Sequence, residues 1–257
     1  MALPHGRCPQ RAALLGCLGD VRTGSLPMTP EEVPTVLAAT RLFGGLDPAA
    51  LTSLGERAVE RSYKKGQLIV YQGDRGDSVF VVRAGLVKVM VSSEEGEEMV
   101  LVTLRPYDTF GELSLVDGGP RSASAEAVEA TRVLVITRAV LLELLEQHPS
   151  LMDALLRSLG SLVRRLTEQA ADLVFLDIHG RMAKLLLTLA EERGEQAGEE
   201  ILLDLNLTQA DLAAMVGGSR QSVNQTLRSF ESRGYLQIEG RMIRLKRPDQ
   251  LRRRAGM

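Results

Sequence analysis

Apolar positions along this chain follow three different periods. Between Leu68 and Ile136 they form short β-rich runs: Leu68 to Tyr71, Val79 to Val82, Leu86 to Val91, Met99 to Leu104 and Val133 to Ile136. Glycine turns at Gly73, Gly76, Gly85 and Gly96 divide them. Short strands at this spacing, with no helices between them, predict an antiparallel roll or barrel. From Ser150 to Leu176 the period becomes seven. Met152, Leu159, Leu166 and Leu173 make one row, Leu155, Leu162, Gln169 and Leu176 a second, and Leu156 and Val163 widen the stripe. This predicts one helix of about 27 residues, roughly 40 Å long, more than a small domain needs for its own core. The expected partner for the stripe is the same helix of a second copy; packing onto the chain's own sheet is the alternative, and the widened stripe allows the helix to do both.

The third period is that of two short helices. Thr208-Gln209-Ala210-Asp211 is a helix-start pattern, followed by the apolar Leu212, Ala213 and Val216 and stopped at Gly217-Gly218. Ser219 then caps a second helix that runs to about Arg233 before Gly234. Two helices about a tight glycine turn predict a helix-turn-helix. In the second helix Val223, Leu227 and Phe230 form the inward stripe, while Arg220, Gln221, Asn224, Gln225 and Arg228 form the opposite face. Long hydrogen-bonding side chains near a helix N-terminus suit the major groove of DNA. Tyr235 to Ile238, a Glu239-Gly240 turn and Met242 to Leu245 predict a hairpin, the wing, with Arg241, Arg244, Lys246 and Arg247 placed to meet phosphates.

The remaining segments complete an α+β architecture. Residues 1–30, rich in proline and glycine, are expected to be a disordered N-terminal extension, with Met28 resembling a natural start. Residues 31–149 form the roll, preceded by two short helical patterns broken at Gly44-Gly45 and restarted by Asp47-Pro48. Residues 150–177 form the dimerisation helix and 178–257 the winged helix-turn-helix, in which the charged run from Glu191 to Glu200 is expected to be a loop or tip.

Charge sharpens this division. The net charge of -2 splits into +7 from Gly218 onward and -9 before it, which points to a polyanion partner for the C-terminal end alone. Cys8 and Cys17, the only cysteines among the 257 residues, exclude a disulfide scaffold and imply a reducing compartment, the cytoplasm. As alternatives they could form a redox pair or bind a metal. His5, His148 and His179 have no metal-ligand spacing, so no metal site is expected. No apolar run approaches the roughly 20 residues of a membrane helix, and the patch from Ala12 to Leu18 lacks a cleavage site, so a soluble protein with no membrane partner is expected. None of the common catalytic signatures of phosphate-binding, serine-hydrolase, metalloprotease or dithiol enzymes occurs, so no catalytic residue and no enzyme activity are expected.

One helical insertion interrupts the strands at Phe110-Gly111-Glu112-Leu113-Ser114-Leu115, followed by Pro120-Arg121-Ser122-Ala123. A helix start opened by Gly111 offers free N–H groups to an anion, and glycine allows close approach. Arg121 could neutralise such an anion with its guanidinium fork, Ser122 could add a hydroxyl donor, and Glu112, which cannot favour an anion directly, could accept from a hydroxyl. The alternative is that Glu112 and Arg121 pair with each other.

The order Gly-Asp-Ser-Val-Phe-Val-Val, Gly-Leu-Val-Lys-Val, Phe-Gly-Glu-Leu-Ser and Arg-Ser-Ala resembles the cyclic-nucleotide-binding domain of the cyclic-AMP receptor protein and fumarate-nitrate regulator (CRP/FNR) family. Gly-Gly-Ser-Arg-Gln-Ser-Val-Asn-Gln resembles its recognition segment, and Phe175 to Arg181 its hinge. The resemblance covers about residues 40 to 250. It implies a homodimeric transcription regulator that binds a near-palindromic operator in double-stranded DNA and works with RNA polymerase. The implied effector is a cyclic nucleotide, cyclic AMP first, bound by Gly111, Glu112, Leu113, Arg121 and Ser122. Leu166 and Thr167 align with the two family positions that contact adenine, although Leu166 has no hydroxyl to offer. Base contacts map to Arg220, Gln221 and Gln225, and the wider DNA surface to Thr208, Gln209, Ser219, Ser222 and Arg241. Arg220 keeps a guanine contact, whereas the two glutamines suit adenine. Alternatives are the same fold acting without a ligand or with another nucleotide such as cyclic di-GMP, and, more distantly, a nucleotide-binding module with no transcriptional role. Two cysteines are too few for a four-thiolate iron–sulfur cluster in one chain.

Overall fold

The computed structural model describes residues 32–205 and 207–257. The expected extension, Cys8, Cys17, His5, the Ala12 to Leu18 patch and the Met28 start therefore lie outside the described residues.

Two short helices come first, α1 (Glu32–Ala38) and α2 (Pro48–Arg57); Asp47 caps α2 by accepting from Ala50 N–H at 2.9 Å. Eight strands and one short helix follow: β1 (Val59–Tyr63), β2 (Leu68–Val70), β3 (Ser78–Ala84), β4 (Val87–Ser92), β5 (Glu98–Leu104), β6 (Thr109–Phe110), α3 (Leu113–Asp117), β7 (Ser124–Ala127) and β8 (Thr131–Thr137). They pair antiparallel as two four-stranded sheets, β1-β8-β3-β6 and β2-β7-β4-β5, which form the roll. Helices α4 (Arg138–Gln147) and α5 (Pro149–Phe175) then leave it.

Strands β3 and β8 read as unbroken apolar runs because both of their faces are covered. Val79, Val81, Leu134 and Ile136 pack against the helices, in one core with Leu54, Leu141, Leu151 and Leu155. Their neighbours Phe80, Val82, Val133 and Val135 face the roll interior with Phe110 and Leu104. Alternation across the strand thus feeds two cores from two strands. Three strands escape the sequence pattern: β1, an edge strand whose side chains are mostly half-buried or exposed, the two-residue β6, and β7, built from Ser-Ala-Glu-Ala.

The long helix is present, but its two heptad rows face different ways. Leu155, of the second row, is buried in the roll core, Leu162 turns to a cavity in the roll, and Gln169 donates its Nε2 to Leu101 O on β5 at 2.7 Å. The outward stripe is instead Met152, Leu156, Val163, Leu166 and Leu173, continued by Val174 at 75% and Phe175 at 81% exposure. A seven-residue period with three apolar positions per heptad admits either pairing of rows, and the roll takes one.

The C-terminal unit comprises α6 (Ile178–Arg193), β9 (Glu195–Ala197), β10 (Glu200–Asp204), α7 (Gln209–Val216), α8 (Arg220–Ser232), β11 (Leu236–Glu239), β12 (Met242–Leu245) and α9 (Pro248–Arg254). Its sheet has the order β11-β12-β10-β9. Of the loop or tip expected from Glu191 to Glu200, the tip is present as the turn at Gly198, whereas a plain loop is corrected: the segment holds the end of α6 and a strand, β9, that pairs with β10. The basic tail, read from sequence only as charge, folds as α9, because Leu251 and Ala255 are buried in the core of this unit. Among the described residues no helix is long and apolar enough to cross a membrane.

Candidate nucleotide pocket and nucleic-acid interface

A cavity of about 210 Å³ opens inside the roll. Its walls include Gly111, Glu112, Leu113, Arg121 and Ser122, with Leu162, Arg165 and Leu166 of α5 across the mouth. Gly111 lies at φ 88, where a side chain is strained, and a Cβ there would meet Arg121 Nη1 at 2.6 Å. Glycine is thus required by the arginine behind it. Phe110 and Phe80 stack with centroids 4.9 Å apart, and the Arg121 guanidinium lies 5.4 Å from the Phe80 ring.

Arg121 is only 5% exposed. Nη1 donates to Gly111 O at 3.0 Å and Nη2 to Ser78 O at 2.8 Å, while Nε is buried without a partner. Burial pushes the Arg121 pKa down, against the opposing pull of Asp77 and Glu112. Burial likewise pushes the Glu112 pKa up, with Arg165 and then Arg121 among the groups drawing it back. Glu112 and Arg121 therefore feel each other's charge but form no hydrogen-bonded pair, which corrects the pairing alternative: Arg121 is held by backbone carbonyls. Leu166 sits at the cavity edge, 38% exposed. Thr167 does not line the cavity of its own chain; its hydroxyl donates to Val163 O at 2.9 Å along the helix.

The reading face is built on satisfied caps. Asp211 Oδ2 accepts from Thr208 N at 2.8 Å and Thr208 Oγ1 at 2.6 Å, and Asp211 N donates back to Thr208 Oγ1 at 3.1 Å, a complete capping box for α7. Gly217 takes φ 63 to end α7, and Ser219 accepts from Ser222 N at 3.1 Å to start α8. Val223, Leu227 and Phe230 anchor α8 in the core, with Phe230 edge-on to His179. Arg220, Gln221, Gln225 and Arg228 are exposed, as are Thr208, Gln209, Ser219 and Arg241. Ser222 is half-buried and serves the cap; Thr226, between the buried residues, keeps an unpartnered hydroxyl. On the wing, Arg244 pairs with Glu200 at 3.2 Å and Arg241 approaches Asp204 at 3.9 Å, so these cations are already shared.

Sequence reasoning missed the residues that join the two units. Lys88 Nζ on β4 lies 3.2 Å from Glu126 Oε1 on β7 and 3.2 Å from Asp211 Oδ1 on α7, tying the roll to the capping box. Burial acts to lower the Lys88 pKa, but Glu126 and Asp211 outweigh it and the net displacement is upward. A lysine inside the apolar run Leu-Val-Lys-Val-Met was the available signal. At the hinge, Arg181 donates to Val216 O, Leu176 O and Gly217 O, and Arg254 of α9 pairs with Asp177, the N-cap of α6.

Two family models match in chain order: the cyclic nucleotide-binding domain over residues 60–148 and the Crp-like helix-turn-helix domain over residues 180–254. The CRP-like cAMP-activated global transcriptional regulator of Mycobacterium tuberculosis is 34% identical over 220 residues, 86% of this chain and 98% of that protein. This chain belongs to the CRP/FNR family. Another relative, the cAMP-activated global transcriptional regulator Vfr of Pseudomonas aeruginosa, is 30% identical over 71% of this chain and 87% of its own length. The fold is shared with FixK2 from Bradyrhizobium japonicum, at a TM-score of 0.69, 23% identity, and coverage of 76% of this chain and 96% of that one. A CooA mutant from Carboxydothermus hydrogenoformans has a TM-score of 0.68 at 26% identity, covering 78% and 88%. As a CRP/FNR member the chain is a DNA-binding transcription regulator that carries a cyclic nucleotide-binding domain, and not an enzyme. Its β-roll, long helix and winged helix-turn-helix are the family's architecture.

Proposed function

We propose that this regulator takes cyclic AMP as effector, in the roll cavity, and works as a homodimer on a near-palindromic operator. The observation that carries the effector reading is the presence in one cavity of a buried guanidinium with a free donor, Arg121 Nε, and a half-buried carboxyl, Glu112. A cyclic phosphate supplies the acceptor that Nε lacks, and a ribose hydroxyl supplies a donor for Glu112; Gly111, Leu113 and Ser122 complete the wall. The names of the Mycobacterium and Pseudomonas relatives support cyclic AMP in particular.

The outward stripe of α5 supports the homodimer. Leu156 at 59%, Val163 at 62% and Phe175 at 81% exposure are apolar surface that pairing of two such helices would cover. Two α8 helices would then enter successive major grooves about 34 Å apart. Arg220 reads guanine, Gln221 and Gln225 read adenine, and Thr208, Gln209, Ser219, Ser222 and Arg241 position the helix on phosphates. In this division residues 31–149 sense, 150–177 pair and 178–257 read. RNA polymerase is the partner on DNA, and the cytoplasm the place of action.

A second reading, control without a bound nucleotide, is favoured by one feature: each Nη of Arg121 already donates to a backbone carbonyl, Gly111 O or Ser78 O. Calorimetric titration of the full chain with cyclic AMP, cyclic GMP and cyclic di-GMP, alone and with operator DNA, separates the two. Heat with cyclic AMP and tighter DNA binding in its presence are expected. Silence with all three nucleotides overturns the effector reading.

A further inference from the structure

Helix α5 must register the occupancy of the cavity if a nucleotide is to control the reading head, yet the two positions expected to do so are poorly equipped. Leu166 carries no polar atom, and the Thr167 hydroxyl is engaged by Val163 O. Arg165, one residue earlier, is differently placed. It lines the nucleotide cavity with Leu162 and Leu166, and it also lines a second cleft of about 230 Å³ between the roll, α5, α6 and α7. In that cleft it stands with Gln169, Asp172 and Leu173 of its own helix, opposite Lys184 and Leu185 of α6 and Val216 of α7.

Other cations around these two spaces are committed. Arg121 gives both Nη groups to carbonyls, Lys184 pairs with Asp172 at 2.6 Å, and Arg181 is spent on three carbonyls at the hinge. Among the described residues Arg165 has no hydrogen bond or ion pair, and its charge acts on the half-buried Glu112. The cavity is consequently neutral on Glu112 and Arg121 alone, and carries one positive charge when Arg165 is counted. That sum matches a monoanionic cyclic phosphodiester. The neighbouring cleft also holds an unfilled valence, the buried Oε1 of Gln169, one helical turn from Arg165.

We propose that Arg165 contacts the anionic nucleotide directly, supplying the second cation of the cavity and taking over on α5 the ligand contact that Leu166 cannot make. The inference rests on the cyclic-nucleotide reading above. Because the same side chain borders the cleft beneath α6 and α7, drawing it into the cavity changes the charge facing the hinge, and occupancy is felt where the reading head is attached.

The test is calorimetry on the full-length protein with cyclic AMP as probe, at two salt concentrations, for the wild type, Arg165→Met, Arg165→Lys and the adjacent Arg164→Met. Arg165→Met should lose about 10- to 100-fold in affinity, the range of a charge-assisted contact. Its affinity should depend less on salt than that of the wild type, a change that a purely packing role would not produce. Arg165→Lys should recover part of the loss, and Arg164→Met should bind as the wild type does. Wild-type heat with an unaltered Arg165→Met isotherm overturns the role of Arg165 and leaves the effector reading standing. No heat from the wild type overturns both.

Discussion

The nucleotide cavity and the reading face use the same kinds of side chain in opposite states. Arg121 is 5% exposed, held by two backbone carbonyls, with its Nε left without a partner. Arg220 is exposed at the first turn of α8, where Ser219 satisfies the helix start, so the guanidinium itself is free. A buried arginine is part of the fold, and under the proposed function the ligand completes it. An exposed arginine is carried by the fold, and under the same proposal DNA replaces its water. The lesson is that a binding residue in the roll cannot be removed without touching stability, whereas one on α8 can.

Arg121→Met gives the largest expected effect. It should strand Gly111 O and Ser78 O and remove the phosphate partner, lowering ligand-free stability by about 1–3 kcal/mol and abolishing measurable cyclic AMP binding. Thermal melting with and without cyclic AMP reads both. A variant that melts like the wild type would show that the two carbonyls are satisfied by other means and would erase the contrast.

Arg220→Ala belongs to the other region. Competition gel shifts should show a loss of about 1–3 kcal/mol in specific binding and a relaxed preference at one guanine per half-site. Its melting should stay within about 0.5 kcal/mol of the wild type, as for other exposed substitutions. An equal loss on random DNA would make Arg220 a phosphate contact and not a reader of sequence.

The same contrast explains what the sequence could disclose. Residues acting through local pattern were readable: Thr208 with Asp211, Ser219, and the Val223, Leu227, Phe230 stripe are set by spacing along one helix. Those whose role depends on chains meeting from afar were not. Lys88 and Asp211 are 123 positions apart and meet only because α7 packs on β5 and its neighbours. Gln169 stands in a leucine row, and its polar side chain is explained only by Leu101 O, 68 positions away in sequence and opposite it in the fold. Which row of the long helix faces out was undetermined for the same reason, since period alone cannot tell the roll from a partner. The motif named Gly111, Glu112, Leu113, Arg121 and Ser122, which line the cavity, but not Arg165, nor that the two Nη groups of Arg121 would be engaged by Gly111 O and Ser78 O.

Between the two regions stands the capping box, and here the expected effect is smallest. Asp211 is half-buried, which acts to raise its pKa; the Thr208 hydroxyl, the Thr208 N–H and Lys88 together outweigh this and hold it below the ordinary 3.8. A carboxylate depressed in the folded state contributes stability at pH values above 3.8, and that contribution fades as pH falls through the lower folded value. Thr208→Ala removes the largest of these stabilising partners while leaving the Lys88 pair in place, and should cost about 1 kcal/mol near neutral pH. The difference in melting temperature between Thr208→Ala and the wild type should therefore be full at pH 7 and shrink on acidification below about pH 3.8, as Asp211 protonates in both. A difference that stays constant down to pH 2 would mean that the threonine acts by packing, and that the link from roll to reading head does not run through the carboxylate.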